Sequence, residues 1–310
     1  MKIFDMHTDI GTDCLEYKEL GNPLKIRHLD KQKAGGVRGL FSACYYDGTQ
    51  NWDQMKEMVL NMQEQIKMNS DEVHWVKSKE DLIETDKLLD LISVEGMCGI
   101  DTDFENRIQW LYDNGVRVAI PAWNESNAIC EGWNQNPSRG LTEDGKKVIK
   151  KMNELNMIID VSHLNEKSFW DIISISTKPI MASHSNNRNV CNHGRNLTEQ
   201  QIKAIAAKGG LIGVVSAKTM THLDQDKKTV DMLAYQAKTI ADMVGIEHVA
   251  CGFDFMDYLD GWNDNRNVEG MPSADKAQNF VAALLRQGFS EEEAEMICWK
   301  NTVNFLKNNL

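Results

Sequence analysis

Residues 141–163 read LTEDGKKVIKKMNELNMIIDVSH. Thr142, Glu143 and Asp144 form a helix start, with a hydroxyl to cap free N–H groups and two carboxylates at the positive end of the helix dipole. The helix runs into NMIIDVSH, a short apolar run that reads as a strand and ends on a histidine. A helix feeding a strand that ends on a reactive residue is one unit of an α/β fold.

The same unit recurs on both sides. Upstream lie KIFDMHTD (2–9), GGVRGLFSACYY (35–46), DLISVEGMCGID (90–101) and VRVAIPAW (116–123), all strand-like. NWDQMKEMVLNMQEQIKM (51–68) and FENRIQWLYDNG (104–115) have helical spacing and separate several of them. Downstream, KPIMASHS (178–185), LIGVVSA (211–217) and HVACGFDF (248–255) alternate with the helical KSFWDIISIS, LTEQQIKAIAAKGG and KTVDMLAYQAKTIADMVG. The tail, SADKAQNFVAALLRQG and SEEEAEMICWKNTVNFL, reads as helices, the second with Ser290 as N-cap. Eight strands separated mostly by helices predict a (β/α)8 TIM-type barrel. No Gly-x-Gly-x-x-Gly turn follows the first strand and no Gly-x4-Gly-Lys-Ser/Thr loop occurs, which argues against a doubly wound nucleotide-binding sheet. With no linker or low-complexity segment, residues 1–310 are expected to be a single barrel domain with C-terminal helices.

Composition sets outer limits. With 42% apolar and 26% charged residues the chain is an ordinary globular protein. A net charge of −12 argues against a nucleic-acid partner. Seven scattered cysteines, an odd number without a Cys-x-x-Cys pair, suit a reducing compartment. Absence of a cleavable leader pattern, a spanning apolar run or an anchor-like tail leads to the expectation of a cytoplasmic protein with no membrane partner.

In a parallel barrel the C-terminal strand ends meet at one mouth. His7 and Asp9 end the first run, Glu95 the third, His163 the fifth, His184 the sixth and Asp254 the eighth. Two residues apart in a β-strand, His7 and Asp9 are expected to face the same side. Several buried carboxylates would repel one another without a cation. Imidazole and carboxylate ligands without thiolates suit Zn2+, with other divalent metals as substitutes, and five ligand groups fit two metals better than one. His28, His74, His193, His222 and His248 lie in polar or loop contexts and are expected to be solvated.

DMHTD, SVEG, GLTEDGKKVIKKMNELNMIIDVSH, SHSNNRNVCNHGRN and GFDF, together with the closing WKNTVNFL, occur in order along the chain. In them the chain resembles the membrane dipeptidase (renal dipeptidase, dehydropeptidase) family of zinc metallopeptidases, barrels related to the amidohydrolases. The resemblance implies that His7 and Asp9 hold one zinc, His163 and His184 the other, and that Glu95 bridges both. It implies that Asp254 shuttles the proton during hydrolysis and that Arg195 grips the substrate carboxylate. It also implies a homodimer. Where many members have a substrate-contacting histidine after the fourth strand, this chain has Trp123. That leaves Trp123 and Asn124, or Asn127, as the expected substrate contacts there.

The resulting expectation is a dinuclear-zinc dipeptidase that cleaves small dipeptides by metal-activated hydroxide, with a D-residue tolerated at the C-terminal position. The alternatives are a related metal-dependent amidohydrolase acting on another small amide or lactam, and a non-catalytic barrel. His-x-Asp on the first strand with Glu95, in place of the His-x-His of many amidohydrolases, favours the dipeptidase.

Overall fold

A computed structural model describes residues 1–259 and 266–310. Its strands are β1 (Ile3–Thr8), β2 (Val37–Tyr45), β3 (Val73–Trp75), β4 (Leu88–Glu95), β5 (Val116–Ile120), β6 (Ile158–Asp160), β7 (Ile180–Ala182), β8 (Leu211–Val214) and β9 (Val249–Cys251). Every neighbouring pair is parallel. The order β2-β1-β9-β8-β7-β6-β5-β4 closes on itself through β2–β4, giving an eight-stranded barrel. All eight expected strands are its staves. The short β3 is additional and pairs only with the start of β4.

Side chains alternate between two cores, as the two-residue period of a strand requires. Phe4, Met6, Phe41, Leu89, Leu91, Val118, Ile158, Met181, Leu211 and Ala250 pack with one another and with Phe305 and Leu306 of the closing helix Asn301–Asn309. Ile3, Leu40, Ile92, Val94 and Val116 belong instead to the larger core that includes the surrounding helices. Met55, Met58 and Met62 are buried there as packing residues.

The helix starts follow the caps in the sequence. Thr142 Oγ1 accepts from Gly145 N ahead of the helix Glu143–Leu155. Thr198 with Gln201 and Ser290 with Glu293 form reciprocal capping boxes. Two features depart from expectation. The first strand stops at Thr8, and Asp9 already caps the short helix Ile10–Glu16, so His7 and Asp9 are not brought together by strand alternation. Residues 24–29 form a π-helical turn whose Arg27 and His28 both bind the buried Asp13. His28 is therefore a core residue rather than a solvated one.

Candidate active site

The first side chains of the site come from the end of β1. Asp5 Oδ1 accepts from His7 N (3.3 Å) and from Phe253 N (2.8 Å), fastening the exit of β1 to the segment after β9. His7 O then accepts from Asp254 N at 3.3 Å, which brings the two ends of the chain's barrel together. Asp160 repeats the device at β6: its Oδ1 accepts from Ser162 N (2.9 Å) and Ser183 N (3.1 Å), setting the turns that carry His163 and His184. His163 and Asp254 both adopt left-handed backbone, with φ of 68° and 55°. Such conformations are uncommon for non-glycine residues and concentrate at functional sites. Glu95 is the last residue of β4, and Gly96 turns the chain away at φ 87°, where a side chain would meet Tyr46 O at 2.9 Å.

These elements bring the five expected ligands and Asp254 into one buried cluster. Glu95 Oε2 lies 3.3 Å from His7 Nε2, and Glu95 Oε1 lies 2.8 Å from His163 Nε2 and 3.5 Å from His184 Nε2. Asp9 Oδ1 is 3.7 Å from His7 Nε2. One carboxylate thus faces a His7/Asp9 pair with one oxygen and a His163/His184 pair with the other. Donor atoms of His7, Glu95 and His184 lie within 4.8 Å of one another, as do those of His7, Asp9 and Asp254.

Hydrogen bonding shows what this cluster fits. His163 Nδ1 is 2.9 Å from Asn124 Oδ1, which can only accept, so the ring proton sits on Nδ1 and Nε2 is bare. His184 Nδ1 pairs with Ser183 Oγ at 2.8 Å, which turns its Nε2 toward the same point. The two Nε2 atoms face each other at 2.7 Å beside the Glu95 carboxylate. The bare Nε2 of His163, the Nε2 of His184 and a Glu95 oxygen thus crowd one point, and Asp9 Oδ1 is buried without a hydrogen-bond partner among the described residues. A divalent cation resolves both conditions, so the residues present fit a metal.

The titration tendencies have the same origin. Burial, then the charges of Arg195 and His7, hold His163 well below the usual imidazole range, and burial with His7, His163 and Arg195 does so for His184. Burial would lower His7 too, but Glu95 and Asp9 outweigh it and raise it. Burial lifts Glu95 to about 8 against the pull of His7, and Asp254 to about 6. Without a cation the carboxylates draw protons to themselves and to His7.

A cavity of about 640 Å³ opens over the cluster, a size that suits a small-molecule site. Asp9, Glu95, His163 and Asp254 line its floor, with Arg195, Trp123 and Asn124 on its walls. Arg195 is buried, its Nη2 has no partner among the described residues, and burial lowers its pKa to about 10 despite Glu95, Asp254 and Asp160 nearby. A buried guanidinium with an open N–H fits an anionic group of a ligand. Trp123 stacks on Tyr45 (centroids 4.9 Å apart) and reaches His163 (5.8 Å). The Oδ1 of Asn124, expected to meet substrate, is spent on the His163 ring. Asn127 is used within its own loop, binding Pro121 O, Ile129 N and Cys130 N.

The sequence reading missed several members of the site. His193, expected to be solvated, lines the cavity, accepts from Arg195 N (3.2 Å) and stacks with Trp133 (5.4 Å). Gly194 permits that stacking, since a Cβ there would lie 2.5 Å from the Trp133 ring. Its place in HGRN beside Arg195 was the available signal. Tyr45, Trp133, Lys218 and Lys228 also line the cavity. Tyr45 ends β2, Lys218 opens the short helix Lys218–Thr221, and Trp133 and Lys228 lie outside helices and strands, so only the closed barrel brings them together. His248 lies just before β9, with Nδ1 2.8 Å from Gly210 O, away from the mouth as expected.

Known proteins share this arrangement of sequence and fold. The family model for membrane dipeptidase (peptidase family M19) matches residues 1–309. An uncharacterised protein of the pqqA 5′ region of Klebsiella pneumoniae is 34% identical over 233 residues, covering 72% of this chain and 83% of that protein. Dipeptidase tcpJ of Claviceps purpurea is 24% identical over 307 residues, covering 94% of this chain and 70% of its own. In fold, the chain matches a metallopeptidase of Rhodobacter sphaeroides liganded with a phosphinate mimic of the dipeptide L-Ala-D-Ala. That match has a TM-score of 0.86 at 21% identity and covers 100% of this chain and 99% of the other.

Proposed function

Because the chain belongs to the membrane dipeptidase family of metallopeptidases (peptidase family M19) and is a peptide-bond hydrolase, we propose that it is a dinuclear-zinc dipeptidase. In this reading His7 and Asp9 hold one cation, His163 and His184 the other, and Glu95 spans both. The observation that carries it is the pair of histidine Nε2 atoms 2.7 Å apart beside one carboxylate whose other oxygen serves His7. When bound, such cations supply Lewis acidity, which lowers the pKa of the attacking water and polarises the scissile carbonyl.

The chain's own groups do the rest. Arg195 fixes the substrate carboxylate beside the cluster, and a dipeptide carries that carboxylate one residue from its peptide bond. Asp254 takes the proton from water and returns it to the departing amine, from its place beside His7 and Asp9 on the cavity floor. Asn124 and Ser183 hold the two histidine rings in their ligating tautomer. Tyr45 and Trp123 form an aromatic wall against the substrate. The ligand of the Rhodobacter neighbour supports L-Ala-D-Ala as the first substrate to assay, beside L-Ala-L-Ala.

Metal content per chain, measured with amino-acid release from both dipeptides, tests the proposal. About two zinc ions with turnover are expected. Asp254→Asn should lower kcat by at least about 100-fold while leaving metal content intact. A well-folded, zinc-replete protein that holds no metal contradicts the site. Normal turnover by Asp254→Asn contradicts the proton-shuttle role. We also propose a homodimer in a reducing cytoplasm; the seven cysteines are free thiols, and no helix among the described residues is long and apolar enough to cross a membrane. Light scattering of the purified protein and fractionation of its source cells test these two statements.

A further inference from the structure

The cavity is unevenly charged. Its carboxylates, Asp9, Glu95 and Asp254, gather at the floor, where cations would more than offset them, and Glu16 is the other acidic lining residue among those described. Four basic side chains, Arg195, Lys218, Lys228 and Arg266, line the same space. The chain as a whole carries −12. The four basic groups equal the four carboxylates of the described lining in number, so with cations at the floor the cleft favours anions.

Lys218 and Lys228 line the same cavity as the carboxylate-binding arginine. Lys218 begins the short helix Lys218–Thr221. Three contacts tie that helix to the loop that carries Arg195: Cys191 Sγ to Thr219 O (3.4 Å), Asn196 Nδ2 to Met220 O (2.7 Å) and Asn186 Nδ2 to Met220 O (3.2 Å). Lys228 closes the following loop, where its Nζ donates to Gln225 Oε1 at 3.0 Å, and its charge is felt at Cys191 on the Arg195 loop. Both lysines are half-buried, and Glu269 is a nearby acidic neighbour of Lys218. Across the cavity the wall is aromatic, formed by Tyr45 and Trp123.

We propose that Lys218 and Lys228 form a second anion subsite that selects dipeptides with an acidic side chain, aspartate or glutamate, at the C-terminal position. This rests on the dipeptidase reading, because Arg195 must hold the C-terminal carboxylate for that residue's side chain to fall beside the lysines. A glutamate side chain there meets ammonium groups that a glutamine cannot satisfy equally, since charge-assisted bonds are the stronger ones. An acidic residue at the N-terminal position gains no such contact.

The test uses the zinc-loaded protein with Ala-Glu, Ala-Gln and Glu-Ala, each in the L,L and L,D forms. Ala-Glu is expected to exceed Ala-Gln by about tenfold or more in kcat/KM, mainly through KM, and to exceed Glu-Ala similarly. The preference should shrink several-fold in 0.5 M NaCl, as for any partly exposed charge contact. In Lys218→Met/Lys228→Met, with folding checked by circular dichroism, the Ala-Glu to Ala-Gln ratio should approach one. Equal use of Ala-Glu and Ala-Gln by the wild type overturns the subsite, as does a preference that survives the double substitution. If none of the dipeptides is cleaved, the dipeptidase reading fails on its own account. Calorimetric binding of Ala-Glu against Ala-Gln then still decides the subsite, with equal affinities overturning it.

Discussion

Asn124 shows how far one side chain reaches in this site. Its Oδ1 holds the proton of His163 on Nδ1 and so leaves Nε2 free to ligate. Removing such a partner ordinarily weakens metal binding by about 10–100-fold. Asn124→Ala should therefore lose zinc to a competing chelator at about one to two orders of magnitude lower chelator strength than wild type, with the fold retained. Unchanged retention would mean that another group holds the ring. The ligands themselves were legible in the sequence because they are chemically distinctive residues at the ends of apolar runs. Asn124 was singled out for a different purpose, since its partner lies 39 residues away and only the closed barrel joins them. Asp5 and Asp160 escaped notice for a related reason. Each sits inside an apolar run and acts on a backbone N–H group in the segment that follows another strand.

At the scale of elements, the barrel was readable because each stave is an apolar run with a helix or turn signal beside it. Two kinds of element were not. The three residues of β3 are too few to show a period, and they exist as a strand only because the start of β4 offers them a partner. The π-helical turn at 24–29 is held by Asp13, from outside the element, through Arg27 and His28. The staves also contain a polar feature with a measurable consequence. Asp90 on β4 is fully buried; its Oδ2 accepts from Ser42 Oγ at 3.0 Å, and its Oδ1 has no partner among the described residues. Burial raises its pKa from 3.8 to about 7. A carboxyl raised in the folded state is fully compatible with folding below its unfolded pKa, and that advantage is lost as pH rises through the folded value. From about pH 4 to pH 7 the unfolded chain ionises while the folded one resists, which destabilises the fold progressively, by up to roughly 4 kcal/mol. Asp90→Asn keeps an acceptor for Ser42 and removes the charge. It should be more stable than wild type at pH 8 and show a much smaller difference at pH 5, as measured by urea unfolding at both values. A gap of the same size at both pH values would remove Asp90 ionisation as the cause.

For the whole molecule, the cluster links metal, protons and stability. Six polar groups from five strand ends, His7, Asp9, Glu95, His163, His184 and Asp254, converge at the barrel mouth, so whatever neutralises them holds distant parts of the chain together. In the absence of a cation, protons take that part: burial raises Glu95 to about 8, and charge on Glu95 and Asp9 raises His7, so the pair gives up its proton only at raised pH. Metal ions bind the native cluster and not an unfolded chain that has lost it, so at 100 times the dissociation constant they add about 2.7 kcal/mol. For a chain of 310 residues that corresponds to a rise in Tm of about 4 °C. Binding must displace the proton that the His7–Glu95 pair holds, so metal affinity increases with pH. The rise in Tm when zinc is returned to chelator-treated protein should therefore be larger at pH 8 than at pH 6. Differential scanning calorimetry at the two pH values, with and without zinc, measures both parts. A Tm indifferent to zinc would mean that the strand ends are held by other contacts. A zinc effect that is equal at the two pH values would mean that the native cluster carries no protons for the metal to displace.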